Sequence, residues 1–341
     1  MRIKFLLPVL ALAMACCKTA PVTTDKQSAD AHRYVNMMSE AHLRKDLTVV
    51  ASDQMEGRET GSEGQKKAGL YLISRYKEMG VSHPPAMENY YQPVPASYLN
   101  ARRNLGLPDS ENILAYIPGS QFPNEIVVIS AHYDHVGIIN GEIFNGADDD
   151  GSGTVALVEM ARVFSEAKKN GHGPKRSLLF LHVTGEEHGL HGSRYYAENP
   201  VFPIANTVAN INIDMIGRRD TEHPNTNQYL YVIGADRLSS ELDPIIKAQN
   251  ERFTKLDLNY KFNDRNDPNR FYFRSDHYNF ARKGVPSVFF FSGVHEDYHK
   301  PSDVVEKIEF DALLSRARLA FAVAWEIANR DKRLAADRDG N

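Results

Sequence analysis

The sequence is poor in cysteine, in charge of one sign and in long apolar runs. Only 2 of its 341 residues are cysteines, and they are neighbours near the N-terminus, Cys16 and Cys17. The rest of the chain therefore has no thiols, which excludes internal disulfides and thiolate chemistry. A metal ion would have to be held by histidine, aspartate and glutamate side chains.

The chain also lacks a large excess of charge. Its formal net charge is -4 at pH 7, and residues of both signs are spread along the sequence. This composition provides no basic field that would hold nucleic acid or an anionic membrane surface. We therefore expect no nucleic-acid partner, and we predict no particular oligomeric state.

The N-terminus has the layout of an export signal. Arg2 and Lys4 precede an apolar stretch from Phe5 to Leu12, which is too short to span a bilayer. The "AMAC" that follows resembles a bacterial lipoprotein box, in which Cys16 becomes the lipidated first residue of the mature protein. This lipid would be the protein's contact with a bacterial membrane. Ordinary cleavage after Ala15 is the alternative, and it would yield a soluble periplasmic or secreted protein.

The composition past the signal indicates one folded domain. We predict a signal peptide over residues 1–15, a small and polar tether over residues 16–33, and a single folded domain over residues 34–332. A polar tail follows over residues 333–341.

Short apolar runs alternate with helical patterns along this domain. One helix is predicted from Ser62 to Gly80, another around Leu157 to Phe164, and a closing helix begins at Phe310. Near-continuous apolar strands between helices predict a three-layer α/β/α sandwich with a mostly parallel, mixed central sheet. The strand-like runs start at Asn112, Glu125, Arg176, Val208, Leu230 and Pro286.

Acidic residues and histidines follow several of these runs. In parallel sheets, functional residues collect beyond the carboxyl ends of the strands. The sequences in question are "HYD" at His132, "TGEE" ending at Glu187, Asp214, and "SGVHEDYHKPSD", which contains His299. A further loop, "GADDDGSG" from Gly146, precedes a predicted helix. Each piece alone fits a solvated turn or a buried structural histidine, but together at one sheet edge they require a cation.

The residue types restrict which cation this is. Imidazole and carboxylate ligands without sulfur suit zinc, cobalt or manganese, and zinc is the usual choice for hydrolysis. There are more candidate ligands than one ion needs. Two ions bridged by a carboxylate would use the whole set.

Five motifs in order resemble those of the co-catalytic di-zinc aminopeptidases, a family that also holds relatives of glutamate carboxypeptidase and glutaminyl cyclase. The resemblance extends from about Asp46 to Ala328 and implies a zinc-exopeptidase fold and peptide substrates. It also implies two Zn²⁺ per chain, with Co²⁺ or Mn²⁺ as possible substitutes. The motifs are "AHYDH", "GADDDGSG", "TGEEHGLHGS", "NIDMIG" and "DYHKPSD".

The resemblance also implies a role for each site residue. Asp149 becomes the bridging ligand, with a cis peptide bond to Asp150. Glu186 becomes the general base that activates the bridging water, and Asp134 accepts the imidazole N–H of His132. The implied metal ligands are His132, Asp149, Glu187, Asp214 and His299.

Several functions remain open at this point. The first is an exported metallo-aminopeptidase that hydrolyses N-terminal residues from peptides. The others are a glutaminyl cyclase-like acyltransferase, a carboxypeptidase, and a non-catalytic peptide-binding relative. The cyclases of the family use one zinc ion and would not need His132 or Asp134, whereas a binding relative would have lost ligands.

Overall fold

A computed structural model describes residues 23–340, with side chains from residue 30 onward. The predicted signal peptide, the predicted lipidation site at Cys16 and the start of the tether, residues 16–22, lie outside the described residues. Among those that are described, no helix is both long enough and apolar enough to cross a membrane.

The first helix begins within the predicted tether and crosses the predicted boundary at residue 33. Helix α1 covers Thr23–Met37. Its C-terminal half is amphipathic, because Ala31, Tyr34 and Val35 are buried whereas His32 and Arg33 are exposed. The Tyr34 ring stacks on Trp325 with ring centroids 5.2 Å apart. The polar composition before Tyr34 concealed this periodicity.

The remaining helices and strands follow in a regular alternation. The helices are α2 (Glu40–Val50), α3 (Glu63–Met79), α4 (Ala96–Leu99), α5 (Gly153–Lys169), α6 (His191–Glu198), α7 (Leu242–Phe253), α8 (His277–Ala281) and α9 (Phe310–Asn329). The strands are β1 (Tyr91–Val94), β2 (Ser110–Ile117), β3 (Phe122–His132), β4 (Gly137–Ile139), β5 (Glu142–Phe144), β6 (Arg176–Val183), β7 (Thr207–Ile213), β8 (Tyr229–Ile233), β9 (Asp257–Asn259) and β10 (Ser287–Phe291).

Eight strands of the described residues form one mixed sheet in the order β1-β2-β6-β3-β7-β10-β8-β9. The four central strands β6, β3, β7 and β10 are parallel to one another. Strand β2 pairs antiparallel with β6, and β8 pairs antiparallel with β10. The predicted α/β fold with a mostly parallel centre is confirmed, and each predicted apolar run is one of these strands.

Helices cover both faces of this sheet. Along β3, Val127 and Ile129 face the large core beneath the helices α1, α2, α3, α5 and α9. Ile126 and Val128 face the opposite core, which contains Tyr196 of α6 and Phe280 of α8. This alternation follows from the pleat of a strand and explains why the central strands are apolar at nearly every position.

Local sequence signals set the ends of helix α3. The Ser62 hydroxyl accepts a hydrogen bond from the Gln65 backbone N–H, and Gly80 adopts the left-handed conformation after the last turn. The predicted helix from Ser62 to Gly80 is therefore confirmed. Its Leu70 is nevertheless 62% exposed, because the buried face runs through Ala68, Leu72 and Tyr76.

Candidate metal centre

The four central strands bring their carboxyl ends to one edge of the sheet. His132 is the last residue of β3, and Asp214 directly follows β7. Glu186 and Glu187 lie in the turn after β6, and His299 lies in the loop after β10. Residues that are up to 167 positions apart in the numbering, from His132 to His299, thus meet because parallel strands end together.

Asp149 lies in a hydrogen-bonded helical turn over residues 147–152, immediately before α5. The peptide bond between Asp149 and Asp150 is cis, as the family resemblance predicted. Asp303 accepts hydrogen bonds from the backbone N–H groups of Asp148 and Asp149 at 3.0 and 3.2 Å. Asp150 Oδ1 accepts from the N–H of Gly153 at 2.8 Å, so it orders the start of α5 rather than pointing at the centre.

One group of metal-type donors consists of His132, Asp149 and Asp214. Nε2 of His132 lies 3.2 Å from Asp149 Oδ1 and 3.6 Å from Asp214 Oδ1. All three side chains are buried. Ser275 donates a hydrogen bond of 2.6 Å to the other carboxylate oxygen of Asp214, which fixes the orientation of that group.

A second group shares Asp149 and adds Glu187, His299 and His135. Nε2 of His299 lies 3.0 Å from Asp149 Oδ2 and 3.0 Å from Glu187 Oε2. Nδ1 of His135 donates to Glu187 Oε1 at 2.7 Å and lies 3.8 Å from Asp149 Oδ2. The structure therefore brings together all five predicted ligands, with Asp149 between the two groups.

His135 is a member of the site that the sequence did not predict. It stands three positions after His132 in the motif "AHYDH". A five-ligand set that was already complete gave no reason to select it. Its side chain is buried, and its Nε2 has no hydrogen-bond partner among the described residues.

Asp134 lies beside His132, but not with the contact that was predicted. Nδ1 of His132 donates to the backbone carbonyl oxygen of Asp134 at 3.0 Å, whereas the Asp134 carboxylate is 3.7 Å away. The carboxylate instead accepts from the Glu186 backbone N–H at 3.2 Å and from the Thr60 hydroxyl at 3.0 Å. The backbone of Asp134 therefore leaves Nε2 of His132 free to face a metal, and its side chain holds the turn that carries Glu186.

The side chain of Arg58 connects several backbone segments around the site through hydrogen bonds. Its guanidinium is fully buried and donates to the carbonyl oxygens of Val50, Tyr133, Asn145 and Gly146 at 2.6 to 2.9 Å. The Tyr133 carbonyl precedes Asp134, the Asn145 and Gly146 carbonyls precede the Asp149 turn, and the Val50 carbonyl ends helix α2. No carboxylate forms an ion pair with Arg58 among the described residues.

The electrostatics of the site are dominated by buried carboxylates. Burial raises the pKa of Glu186 well above its ordinary value, and the carboxylates of Asp214 and Glu187 raise it further. Burial likewise raises the pKa of Asp276, which lies in the same region, to about 7. Burial also opposes ionisation of Asp149, but contacts with His132 and His299 hold the pKa of Asp149 well below its ordinary value.

These observations fit a metal. Histidine nitrogens and carboxylate oxygens converge in two groups whose donor atoms all lie within 4.8 Å of one another. Nε2 of His299 and Nε2 of His135 are buried without hydrogen-bond partners among the described residues. A cation would offset the mutual repulsion of the carboxylates and bind Nε2 of His299, which faces Asp149 and Glu187, and zinc accepts this set of ligands.

A family profile matches the part of the chain that contains these donor groups. The sequence profile of peptidase family M28 matches residues 112–324, a span that contains all five predicted ligands. The chain belongs to peptidase family M28. A probable leucine aminopeptidase of Trichophyton verrucosum is 30% identical over 309 residues, which cover 86% of this chain and 78% of that protein.

Other relatives in this family are longer. A probable zinc metalloprotease of Pyrenophora tritici-repentis is 25% identical over 258 residues, which cover 64% of this chain and 51% of that protein. The chain thus spans about half the length of several curated relatives that it matches. A solved structure, an aminopeptidase from Aneurinibacillus sp. strain AM-1, superposes with a TM-score of 0.66 at 17% identity and covers 91% of this chain and 98% of that one. That likeness shows the shared zinc-exopeptidase fold.

Proposed function

We propose that this M28 member is an aminopeptidase that uses two zinc ions, with Glu186 as the general base. The observation that carries the proposal is the pair of donor groups that share Asp149. One ion would be held by His132, Asp149 and Asp214, and the other by Asp149, Glu187 and His299, with His135 beside them. Relatives with the printed names of leucine aminopeptidases support this activity.

The chain's own residues supply proton transfer and positioning. When bound, zinc ions lower the pKa of water and polarise a carbonyl oxygen. Glu186 lines the pocket beside His132, Asp149 and Asp214, so its carboxylate can take a proton from the attacking water. The same carboxylate then returns the proton to the leaving amine. Asp134 holds the backbone of Glu186 in place for both transfers.

An apolar pocket beside the first donor group would hold the substrate's N-terminal side chain. Its volume is about 40 Å³. The acidic side of the pocket, formed by Glu186 and Asp214, suits a free amino group, because the amine is cationic. Its other side chains are Met215, Phe271, Arg274, Phe289, Phe291, Val294 and Tyr298.

Glu186→Gln tests the proposed role of the base. We expect the variant to keep both zinc ions and to lose hydrolysis of leucine p-nitroanilide by at least about a hundredfold, because an amide cannot accept the proton. Glu166→Gln, which removes a carboxylate at the far end of α5, is the matched control and should retain activity. A zinc-loaded Glu186→Gln protein that remains active would contradict the assignment.

Two other activities are distinguished by their substrates. A carboxypeptidase would cleave N-acetyl-Leu-Gly, whereas an aminopeptidase requires the free amine and would leave this peptide intact. A glutaminyl cyclase would convert N-terminal glutamine to a ring without releasing a residue. His132 and Asp214 complete the first donor group around Asp149, and a one-zinc cyclase would not need His132, which is why we favour the aminopeptidase.

We also propose that the protein is exported and carries a lipid on Cys16. The pattern of Arg2, Lys4, the apolar stretch and "AMAC" supports this proposal. Cys16→Ser should move the protein from the membrane fraction to the soluble fraction. An unchanged distribution would favour ordinary cleavage after Ala15.

A further inference from the structure

A second cavity, lined by different residues from the apolar pocket, borders the metal centre. Its volume is about 470 Å³, which is enough for a small ligand or one to two residues of a peptide. Glu187 forms part of its wall, so the cavity adjoins the second donor group. The apolar pocket adjoins the first group through His132 and Asp214. If a peptide bond were held between the two donor groups, the residue on one side of the bond would thus face one cavity and the residue on the other side would face the other.

The walls of this second cavity are basic. Arg102, Arg103 and Arg194 line it together with His188 and His191. The one carboxylate in the lining, that of Glu187, is already engaged by His135 and His299. The cavity therefore carries positive charge that its own walls do not neutralise.

Arg194 is the most informative of these residues. It is only 5% exposed, yet no carboxylate of the described residues pairs with it. Its guanidinium contacts neutral groups, the Tyr98 hydroxyl at 3.0 Å and Nδ1 of His191 at 2.7 Å. A nearly buried arginine normally has an anionic partner. Arg194 reaches the Glu198 carboxylate only through the Tyr98 hydroxyl and lies over the Tyr98 ring, so it has no direct anionic partner in the described part of the chain. Together with Arg102 and Arg103, also unpaired among those residues, this points to an anion that arrives with a ligand.

Arg102 and Arg103 are presented by a loop that the fold holds in place. The Asn100 side chain accepts from the N–H groups of Leu105 and Leu107 and donates to the carbonyl of Leu107. Leu105 and Leu107 pack against a small core that includes Tyr195 of α6. The two arginines are therefore held at the mouth of the cavity, and neither has an ion-pair partner among the described residues.

We propose that this basic cavity binds a substrate carboxylate on the leaving-group side of the scissile bond. This rests on the proposed function, which places the N-terminal side chain in the apolar pocket. The carboxylate is either the C-terminus of a dipeptide or an acidic side chain in the residue after the scissile bond. The favoured substrates are therefore short peptides and peptides with an acidic second residue, since arginine binds carboxylates through charge-assisted hydrogen bonds.

The test compares matched peptides with and without the carboxylate. Leu-Gly and Leu-Gly-amide isolate the C-terminal group, and Leu-Glu-amide and Leu-Gln-amide isolate the side chain. In the zinc-loaded protein we expect kcat/KM for the favoured acid to exceed that of its uncharged partner by about tenfold. Whichever pair shows the advantage identifies the source of the carboxylate.

The double variant Arg102→Gln/Arg103→Gln should remove most of this advantage through KM, so that the acid and the amide of each pair approach the same kcat/KM. Both positions are exposed, so the substitutions do not disturb the core. The matched control Lys169→Gln/Lys332→Gln removes the same charge at the opposite edge of the sheet and should keep the advantage. Equal kcat/KM for acid and amide in the unmodified protein, or an advantage that survives in the arginine variant, would overturn the proposal.

Dissociation constants of the same peptides in zinc-loaded Glu186→Gln separate this inference from the proposed function. The binding measurement needs no turnover. A carboxylate preference in binding, with no hydrolysis of any peptide by the unmodified zinc-loaded protein, would support the cavity assignment and refute the aminopeptidase. Hydrolysis of the amides without any carboxylate preference would support the aminopeptidase and refute the cavity assignment.

Discussion

His182 should make the protein sensitive to acid. It lies at the end of β6, fully buried, where it shares a hydrogen bond of 2.7 Å with the Tyr76 hydroxyl through Nε2. Its Nδ1 has no partner among the described residues, so an added proton would have no acceptor. Burial lowers the pKa of His182 to about 3, because the charged ring is excluded from water.

The effect of pH on the unfolding free energy depends on the difference in proton binding by His182 between the folded and the unfolded states. Above pH 6.5 the ring is neutral in both the folded and the unfolded states, and the stability that depends on it is fully present. Between pH 6.5 and about 3 only the unfolded state takes up the proton, so the unfolding free energy decreases as the pH is lowered. With an unfolded pKa of about 6.5, the loss is about 2 kcal/mol at pH 5 and about 3 kcal/mol at pH 4.

Urea unfolding of His182→Gln at pH 7.5 and pH 5 measures this contribution. Glutamine keeps a polar partner for Tyr76 but does not titrate. We expect the drop in unfolding free energy between the two pH values to be about 2 kcal/mol smaller in the variant, since the titrating groups of the metal centre affect both proteins equally. His83→Gln, at a partly exposed site, is the control. An equal drop in both proteins would refute the buried, neutral state of His182.

Three further predictions concern the metal centre. Asp303→Asn should raise the zinc dissociation constant by about tenfold in a chelator competition assay, because Asp303 fixes the backbone that carries Asp149; unchanged affinity would contradict this support role. His135→Gln should lower the affinity for the zinc ion at Glu187 by a similar factor and leave the affinity for the other ion unchanged, which stepwise metal release would reveal; an equal loss of affinity for both ions would argue against it. Chelation should lower the unfolding free energy by about 4 kcal/mol relative to protein in zinc at a thousand times the dissociation constant, as measured by urea denaturation; equal stability with and without zinc would contradict the proposed metal centre.

The fold was predictable because its central strands are apolar over their whole length. Runs such as "RSLLFLHV" at Arg176 and "PSVFFF" at Pro286 are central strands of the sheet, covered on both faces. Helix α1 was missed because its apolar residues begin only at Ala31, after a polar segment. Exposure of Leu70 could not be predicted either, because the spacing of a few apolar residues does not fix which face of a helix meets the core.

The site was predictable in its ligand types but not in its supporting contacts. His132 ends β3, Asp214 directly follows β7, and Glu187 lies in the turn after β6, so the parallel order of these strands brings the three residues to one edge of the sheet. The contact between His132 and the carbonyl of Asp134 depends on how the chain turns after β3, which residue identity does not determine. His135 was overlooked because its value comes from a contact with Glu187, 52 positions away.

The number of zinc ions per chain, measured together with their effect on catalysis, tests the central claim most directly. The protein starting after Cys17 retains all of the described residues, and its metal content can be determined by mass spectrometry. Leucine p-nitroanilide hydrolysis would be followed before chelation, after chelation and after zinc is restored.

The structure predicts two zinc ions per chain, loss of hydrolysis on chelation and recovery on addition of zinc. These results would establish that the two donor groups around Asp149 act as one catalytic centre. Hydrolysis that survives complete removal of metal, or a protein that holds two zinc ions and cleaves no peptide, would contradict the aminopeptidase proposal.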